Sequence, residues 1–289
     1  MSKKLQIRDK KSIVWFKEEW HDGSKPIMSS MSQSYMHGST IFDGARAYNN
    51  SIPDLHKHCE RLINSSKVMG LILPISKEKL IELCKEGVKS FEEGAELYIR
   101  PSIFCDDGFL IPDAKSSKLA ITIFRAPMPS LDGFTAMLSS FRRPHPSMAP
   151  TLAKASCLYA NTSRALAEAS ENGFDNVVMR DGEENIVEFG SANLFIVKSD
   201  RIITPKWNKT FLNGITKQRV IALLKEEGID VLETKVSEED LLSANEVFST
   251  GNFGKVLPVR KINQVEYEVG SVCKKAISLY QKYASTYSI

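Results

Sequence analysis

Glu188-Phe189-Gly190-Ser191-Ala192-Asn193-Leu194-Phe195, continued by Ile202-Ile203-Thr204 and then Leu212-Asn213-Gly214-Ile215-Thr216-Lys217, is the stretch around which the rest of the sequence organises. Residues 192–197 and 201–204 read as short apolar strands, with Ser199-Asp200 supplying a turn between them. Thr216 reads as the cap of a helix whose Val220, Ile221, Leu223 and Leu224 form an apolar face, with Gly228 beyond its end. Upstream, 177–180 and 185–187 flank Asp181-Gly182, a pair of residues suited to a hairpin.

Outward from this stretch the chain alternates strand and helix. Ile13 to Trp15 reads as a strand, and Ser39 to Tyr48 as a strand broken by a tight turn at Phe42-Asp43-Gly44-Ala45-Arg46. From Pro53, expected in a first helical turn, Leu55, Cys59, Leu62, Ile63 and Met69 recur at helical spacing as far as Gly70. A second helix is predicted from Ser76 through Leu80, Ile81, Cys84, Val88 and Phe91, closed by Gly94. Strands follow at 97–104 and 119–124. Residues 127–133, with two prolines and a glycine, read as a linker between a domain at 1–126 and a second at 134–289. Beyond it come a strand at 134–140, a proline-broken loop, a helix at 158–171 and a last helix at 272–283. The fold class is α/β (α+β), a smaller amino-terminal α/β domain followed by a larger domain built on a mixed sheet.

The 289 residues are too many for one ordinary core, which fits two domains. A net charge of +3 arises from 38 basic and 35 acidic residues dispersed along the chain, so no charged stripe suits a nucleic acid. No apolar run approaches a membrane span, and the basic start lacks the apolar core of an export signal. Five widely spaced cysteines, with no CxxC and no histidine to complete a metal set, read as reduced thiols of a cytoplasmic protein.

Lys154 stands in Thr151-Leu152-Ala153-Lys154-Ala155-Ser156-Cys157 with only small or apolar neighbours. Such a setting favours the neutral, nucleophilic amine needed for Schiff-base chemistry. A lone lysine carries little weight, because most lysines are solvated surface groups.

The opening stretch resembles the signature of the class IV (fold type IV) pyridoxal-phosphate enzymes: a glutamate, a small residue, an asparagine, an apolar-aromatic pair, a downstream threonine and a Gly-Ile-x-basic end. The resemblance covers nearly the whole chain and is closest to the branched-chain aminotransferases. His37 to Tyr48, His58-Cys59-Glu60-Arg61-Leu62, Leu97-Tyr98-Ile99-Arg100-Pro101, Lys154 to Tyr159 and Ser249 to Pro258 are similar to further family motifs in the same order.

This resemblance implies a pyridoxal 5'-phosphate enzyme with Lys154 as the Schiff-base lysine and proton carrier. Glu188 is implied beside the ring nitrogen, Tyr159 at the ring hydroxyl and Leu212 against the ring face. Arg61, the N–H groups of Ile215 and Thr216, and Asn252 are implied as phosphate ligands. On the strand at 97–104, Tyr98 and Arg100 share one face, and the family uses this strand for the substrate carboxylate. His37, Phe42, Arg46 and Phe253 complete the implied substrate set, and Gly44 also fits the pattern. The implied reaction moves the amino group of a branched-chain L-amino acid to 2-oxoglutarate in two half-reactions, within a homodimer.

The chain departs from the family at His37, where tyrosine is common, at Asn252 and Phe253 in the late turn, and in Cys105-Asp106-Asp107-Gly108-Phe109-Leu110, which replaces a glycine-rich loop. An (R)-amine or D-amino-acid transaminase, slightly favoured by His37, and an aminodeoxychorismate-type lyase are the alternatives of the same fold. An arginine in the pocket argues against a donor that lacks a carboxylate.

Overall fold

The computed structural model describes residues 11–287. The basic stretch 1–10, relevant to the expected absence of an export signal, lies outside the described residues. The chain forms two compact units, one comprising residues up to Met128 with Ala153–Leu158 and the end of the chain from Ala284, the other Pro129–Leu152 and Tyr159–Tyr283.

The first unit contains β1 (Ser12–Phe16), β2 (Glu19–Asp22), α1 (Gln33–His37), β3 (Ile41–Phe42), β4 (Ala45–Ala47), α2 (Leu55–Val68), α3 (Lys77–Lys89), β5 (Leu97–Cys105) and β6 (Ser117–Arg125). Among the described residues its sheet runs β2-β1-β6-β5-β3, with β4 also on β5. The helices follow from their apolar spacing. Leu55, Cys59 and Leu62 of α2 and Leu80, Leu83, Cys84 and Val88 of α3 pack with Leu97, Ile99 and Ile103 of β5 in one core. Pro53, expected inside α2, instead precedes a cap at Asp54, whose φ of 57° is left-handed. Ser76 caps α3 by accepting from Lys79 N at 3.1 Å. That helix ends at Lys89, short of Gly94.

The second unit contains β7 (Phe134–Arg142), α4 (Tyr159–Glu171), β8 (Asn176–Arg180), β9 (Ile186–Phe189), β10 (Asn193–Lys198), β11 (Arg201–Pro205), α5 (Ile215–Glu226), β12 (Val231–Thr234), α6 (Glu238–Leu242), β13 (Glu246–Gly251), β14 (Lys255–Ile262), β15 (Val265–Glu266) and α7 (Ser271–Ala284). Among the described residues the strand order is β12-β11-β10-β13-β14-β7-β8-β9, and β9 also pairs with β10, so part of the path closes on itself. Parallel pairs (β7 with β8 and β14, β11 with β12) and antiparallel pairs occur together, giving the mixed sheet expected. β10 is buried over five of its six residues, with Phe195 stacked on Phe248 at 5.0 Å. Burying each such ring contributes about 3 kcal/mol.

Two turns differ in kind from one another. Ser199 and Asp200 both have positive φ (49° and 60°) and form a two-residue connection between β10 and β11. Asp181-Gly182 belongs to a longer loop, because Asp181 Oδ1 accepts from the N–H groups of Glu183 and Asn185 and stops the strand there.

Candidate active site

Lys154 is fixed by pairing within the first unit. Its carbonyl accepts from Phe42 N at 3.0 Å, its own N–H donates to Ser65 Oγ at 3.0 Å, and Ala155 bridges to Ile41. Sequence places Lys154 after the linker, yet the segment Ala153–Leu158 belongs to the first unit, because residues 153–156 extend the pairing of β3. The buried Ala153 and Ala155 on either side allow this close approach.

Phe42 has two basic side chains against its ring. Lys154 Nζ stands 5.0 Å from its ring centroid, and the Arg100 guanidinium carbon stands 3.8 Å from it. Arg100 and Tyr98 share a face of β5 while Leu97 and Ile99 are fully buried on the other, as strand parity requires. Tyr98 stacks on Phe124 at 5.4 Å. Its hydroxyl approaches Gly44 so closely that a Cβ there would lie 2.1 Å away, which accounts for the glycine.

Asp43, next to Phe42, is fully buried and accepts from Arg61 Nε at 2.7 Å and Nη2 at 2.9 Å, with His58 Nδ1 at 2.8 Å. Burial pushes its carboxyl up, but the Arg61 charge, the Arg61 hydrogen bonds and His58 outweigh that and hold it well below the usual carboxylate range. Arg46 is also fully buried, and its guanidinium donates to the Ala126 carbonyl and lies 2.9 Å from Met128 Sδ. Burial, opposed by Glu96, brings Arg46 down to about 10. Arg46 stands directly across the ladder from Tyr98. His37 is not drawn into this cluster: it ends α1, is exposed, and meets Phe109 edge-on at 6.1 Å.

In the second unit Glu188 and Asn193 face one another across the β9–β10 pairing. Glu188 Oε1 lies 2.9 Å from Arg143 Nε and Oε2 lies 3.4 Å from Asn193 Nδ2, which also donates to the Leu212 carbonyl at 3.1 Å. Arg143 is held in turn by Thr162 Oγ1 and by the carbonyls of Phe189 and Gly190. The asparagine thus joins Glu188 to the loop before α5. A Cβ at Gly214 would fall 1.9 Å from Asn193 Oδ1, so any other residue there would displace the asparagine side chain.

The cap of α5 is Gly214, not Thr216 as the sequence suggests. Gly214 has no side chain to accept from the first turn, and Thr216 is the second helical residue, buried. The helix therefore presents backbone N–H groups at its positive end without a side-chain acceptor from its cap. Tyr159 opens α4 and is half-buried, whereas Phe253 in the turn after β13 is exposed. Two further donors are buried with no hydrogen-bond partner: Thr250 Oγ1, on the residue opposite Asn193, and Asn252 Nδ2. Sequence reasoning missed Arg143, Asp43 and Lys255. Arg143 lies in an Arg-Arg pair before Pro144 that reads as a surface loop, and its partner Glu188 is 45 positions away.

The model of the class IV aminotransferase family matches residues 40–262. A probable branched-chain-amino-acid aminotransferase of Aquifex aeolicus is 32% identical over 267 residues, 88% of this chain and 86% of that protein. An aminotransferase from Brucella abortus, solved bound to the cofactor PLP, has 39% identity and a TM-score of 0.93, covering 95% of this chain and 99% of that one. The branched-chain aminotransferase of Thermoproteus uzoniensis, solved with norvaline, has 30% identity and a TM-score of 0.87, covering 94% and 95%. With the lysine, the glutamate and the glycine-led helix in the expected order on this fold, the chain belongs to the class IV aminotransferases.

Proposed function

We propose that the chain is a pyridoxal 5'-phosphate-dependent transaminase acting on branched-chain L-amino acids, with 2-oxoglutarate as acceptor. The observation that carries this reading is Phe42, against whose ring the Lys154 amine and the Arg100 guanidinium both lie. An amino-acid transaminase needs both a nucleophilic amine and a planar cation for the substrate carboxylate. With an amine donor Arg100 would meet a carboxylate only in the half-reaction of the keto-acid acceptor, whereas an amino-acid donor engages it in both.

The residues present fit the cofactor. Glu188 is an anchored carboxylate, α5 begins with N–H groups that its glycine cap does not engage through a side chain, and Thr250 and Asn252 hold buried donors with no partner. When bound, the cofactor supplies an electron sink for charge developing at the substrate α-carbon. Lys154 Nζ would hold the cofactor and, once released by the substrate amine, would carry a proton at the substrate α-carbon as base and acid. Glu188 would keep the ring nitrogen protonated, and Tyr159 would serve the ring hydroxyl. Leu212 would pack on the ring. Arg61, the N–H groups of Ile215 and Thr216, and Asn252 would hold the phosphate. Tyr98 and Arg100 receive the substrate carboxylate, with Arg46 backing Tyr98. Phe42 and Phe253 border the side chain.

We further propose a homodimer. Tyr35 and Met36 of α1, with nearby Met31, and Phe109, Leu110 and Ile111 of the loop after β5 are exposed large apolar residues, Ile111 at 81%. The two segments are joined by Gln33 N donating to the Asp106 carbonyl. An apolar patch of this kind suits a second copy of the chain. The free thiols support a reducing, cytoplasmic setting. Among the described residues no helix is long and apolar enough to cross a membrane.

The test is a panel of leucine, isoleucine, valine, aromatic and D-amino acids and a chiral amine, each with 2-oxoglutarate or pyruvate. Branched-chain L-amino acids should react fastest with 2-oxoglutarate, and Lys154→Ala should abolish turnover. Faster reaction of the D-amino acids or the chiral amine, or release of pyruvate without an acceptor, would replace the reading with one of the alternatives of the same fold.

A further inference from the structure

We propose that Lys255 is a positioning residue for Asn252, locking its side-chain amide so that Nδ2 is offered to the phosphate of the cofactor; this rests on the cofactor reading above. Residues 252–254 form the three-residue connection between β13 and β14, where Gly251 pairs with Lys255. Lys255 has a φ of 60°, a left-handed conformation that costs a residue with a Cβ and is usually given to glycine. Here it is occupied by a lysine that is 5% exposed. A buried, charged side chain in that conformation persists only where its surroundings require it.

What holds the lysine is specific. Its Nζ donates to Asn252 Oδ1 at 2.8 Å and stands 5.8 Å from the ring centroid of Tyr280 on α7. An ammonium group donates and never accepts, so the amide atom facing it must be the oxygen. The amide nitrogen is thereby turned away from Lys255, and Nδ2 is buried with no hydrogen-bond partner. The hydroxyl of Thr250, two residues earlier, is in the same condition. Thr250 stands opposite Asn193, whose side chain reaches the Gly214 turn at the start of α5.

Two buried donors without acceptors, two residues apart and one of them held by a buried ammonium, suit an anion with several oxygens. Without Lys255 the amide could turn over and present its oxygen to that anion, exchanging attraction for repulsion. Lys255 therefore acts through Asn252 and need not touch the ligand.

The experiment uses the full-length apoenzyme and calorimetric titration with pyridoxal 5'-phosphate, with inorganic phosphate, and with pyridoxal, which lacks the phosphate. Lys255→Met should weaken both phosphate-bearing probes about tenfold, the cost of one charge-assisted hydrogen bond, and leave pyridoxal unchanged. Lys255→Arg, still a donor only, should restore most of the affinity. In an Asn252→Ala background, Lys255→Met should change affinity less than about twofold, because a positioning role vanishes with the group positioned. The same tenfold loss in that background would mean that the lysine charge acts directly on the anion, and would overturn the proposal. Unchanged affinity in Lys255→Met, or an equal loss for pyridoxal, would also overturn it. Wild-type enzyme that binds neither pyridoxal compound would instead remove the cofactor reading and this inference with it.

Discussion

Asp43 and Arg61 meet through two hydrogen bonds, 2.7 and 2.9 Å long, so a fully buried carboxylate sets the direction of an arginine expected to serve an anionic ligand. Because the pair is bidentate, the guanidinium plane is fixed as well as its charge. Asp43 also engages His58, three residues before Arg61 on α2 and so on nearly the same side of the helix.

Asp43→Asn should therefore lower stability by about 3 kcal/mol at neutral pH, the cost of leaving one member of a buried pair alone. The sign of the pH dependence follows from the lowered native carboxyl. Its stabilisation is fully present above the unfolded value of about 4 and is lost as pH falls from there through the native value. Urea denaturation of both proteins at pH 7, 4 and 3 should show their difference shrinking toward acid. A difference that stays constant with pH would contradict the assignment.

Arg143→Lys should reduce kcat by about tenfold to a hundredfold, a loss typical of removing the partner that orients a working group. A lysine cannot reach Glu188, Thr162 and two carbonyls at once. KM for the amino acid should change little, since none of these contacts involves Tyr98 or Arg100. Steady-state kinetics alongside a melting curve separate this from general damage, and an unaltered kcat would show that Glu188 needs no such support.

Gly214→Ala should cost about 1–3 kcal/mol through overpacking and also weaken cofactor binding. Its backbone φ of −62° suits any residue, so the clash with Asn193 Oδ1 is the sole cause. Gly228→Ala is the control: its φ is 74° and nothing lies within 4 Å of the added carbon. The control should lose about 1 kcal/mol with no change in cofactor affinity, measured by fluorescence titration. Equal effects on affinity would exclude transmission through Asn193.

Local pattern made much of the fold readable before any coordinates. The apolar faces of α2 and α3, the parity of Tyr98 and Arg100 on β5, and the turn at Ser199-Asp200 depend on neighbours a few positions apart, and all three appear in the structure. Starts and stops were less readable. Pro53, Thr216 and Gly94 are residues that commonly mark helix ends, but tertiary contacts chose Asp54, Gly214 and Lys89 instead. The order of the motifs singled out Lys154 and Glu188 as candidates. The residues that hold such groups, Arg143 for Glu188 and Ser65 for Lys154, lie 45 and 89 positions away in the sequence, and no local pattern announces a partner at that range.

The pairing of residues 153–156 with β3 also constrains how the polypeptide may be divided. A break at Met128, where the first unit's main run ends, would leave Phe42 and Lys154 on separate polypeptides, although their main chains share a hydrogen bond. Neither fragment could then complete that ladder alone. Obtaining the first unit as a free-standing piece requires grafts that carry both 153–158 and the end of the chain from Ala284 back to it, not a simple truncation.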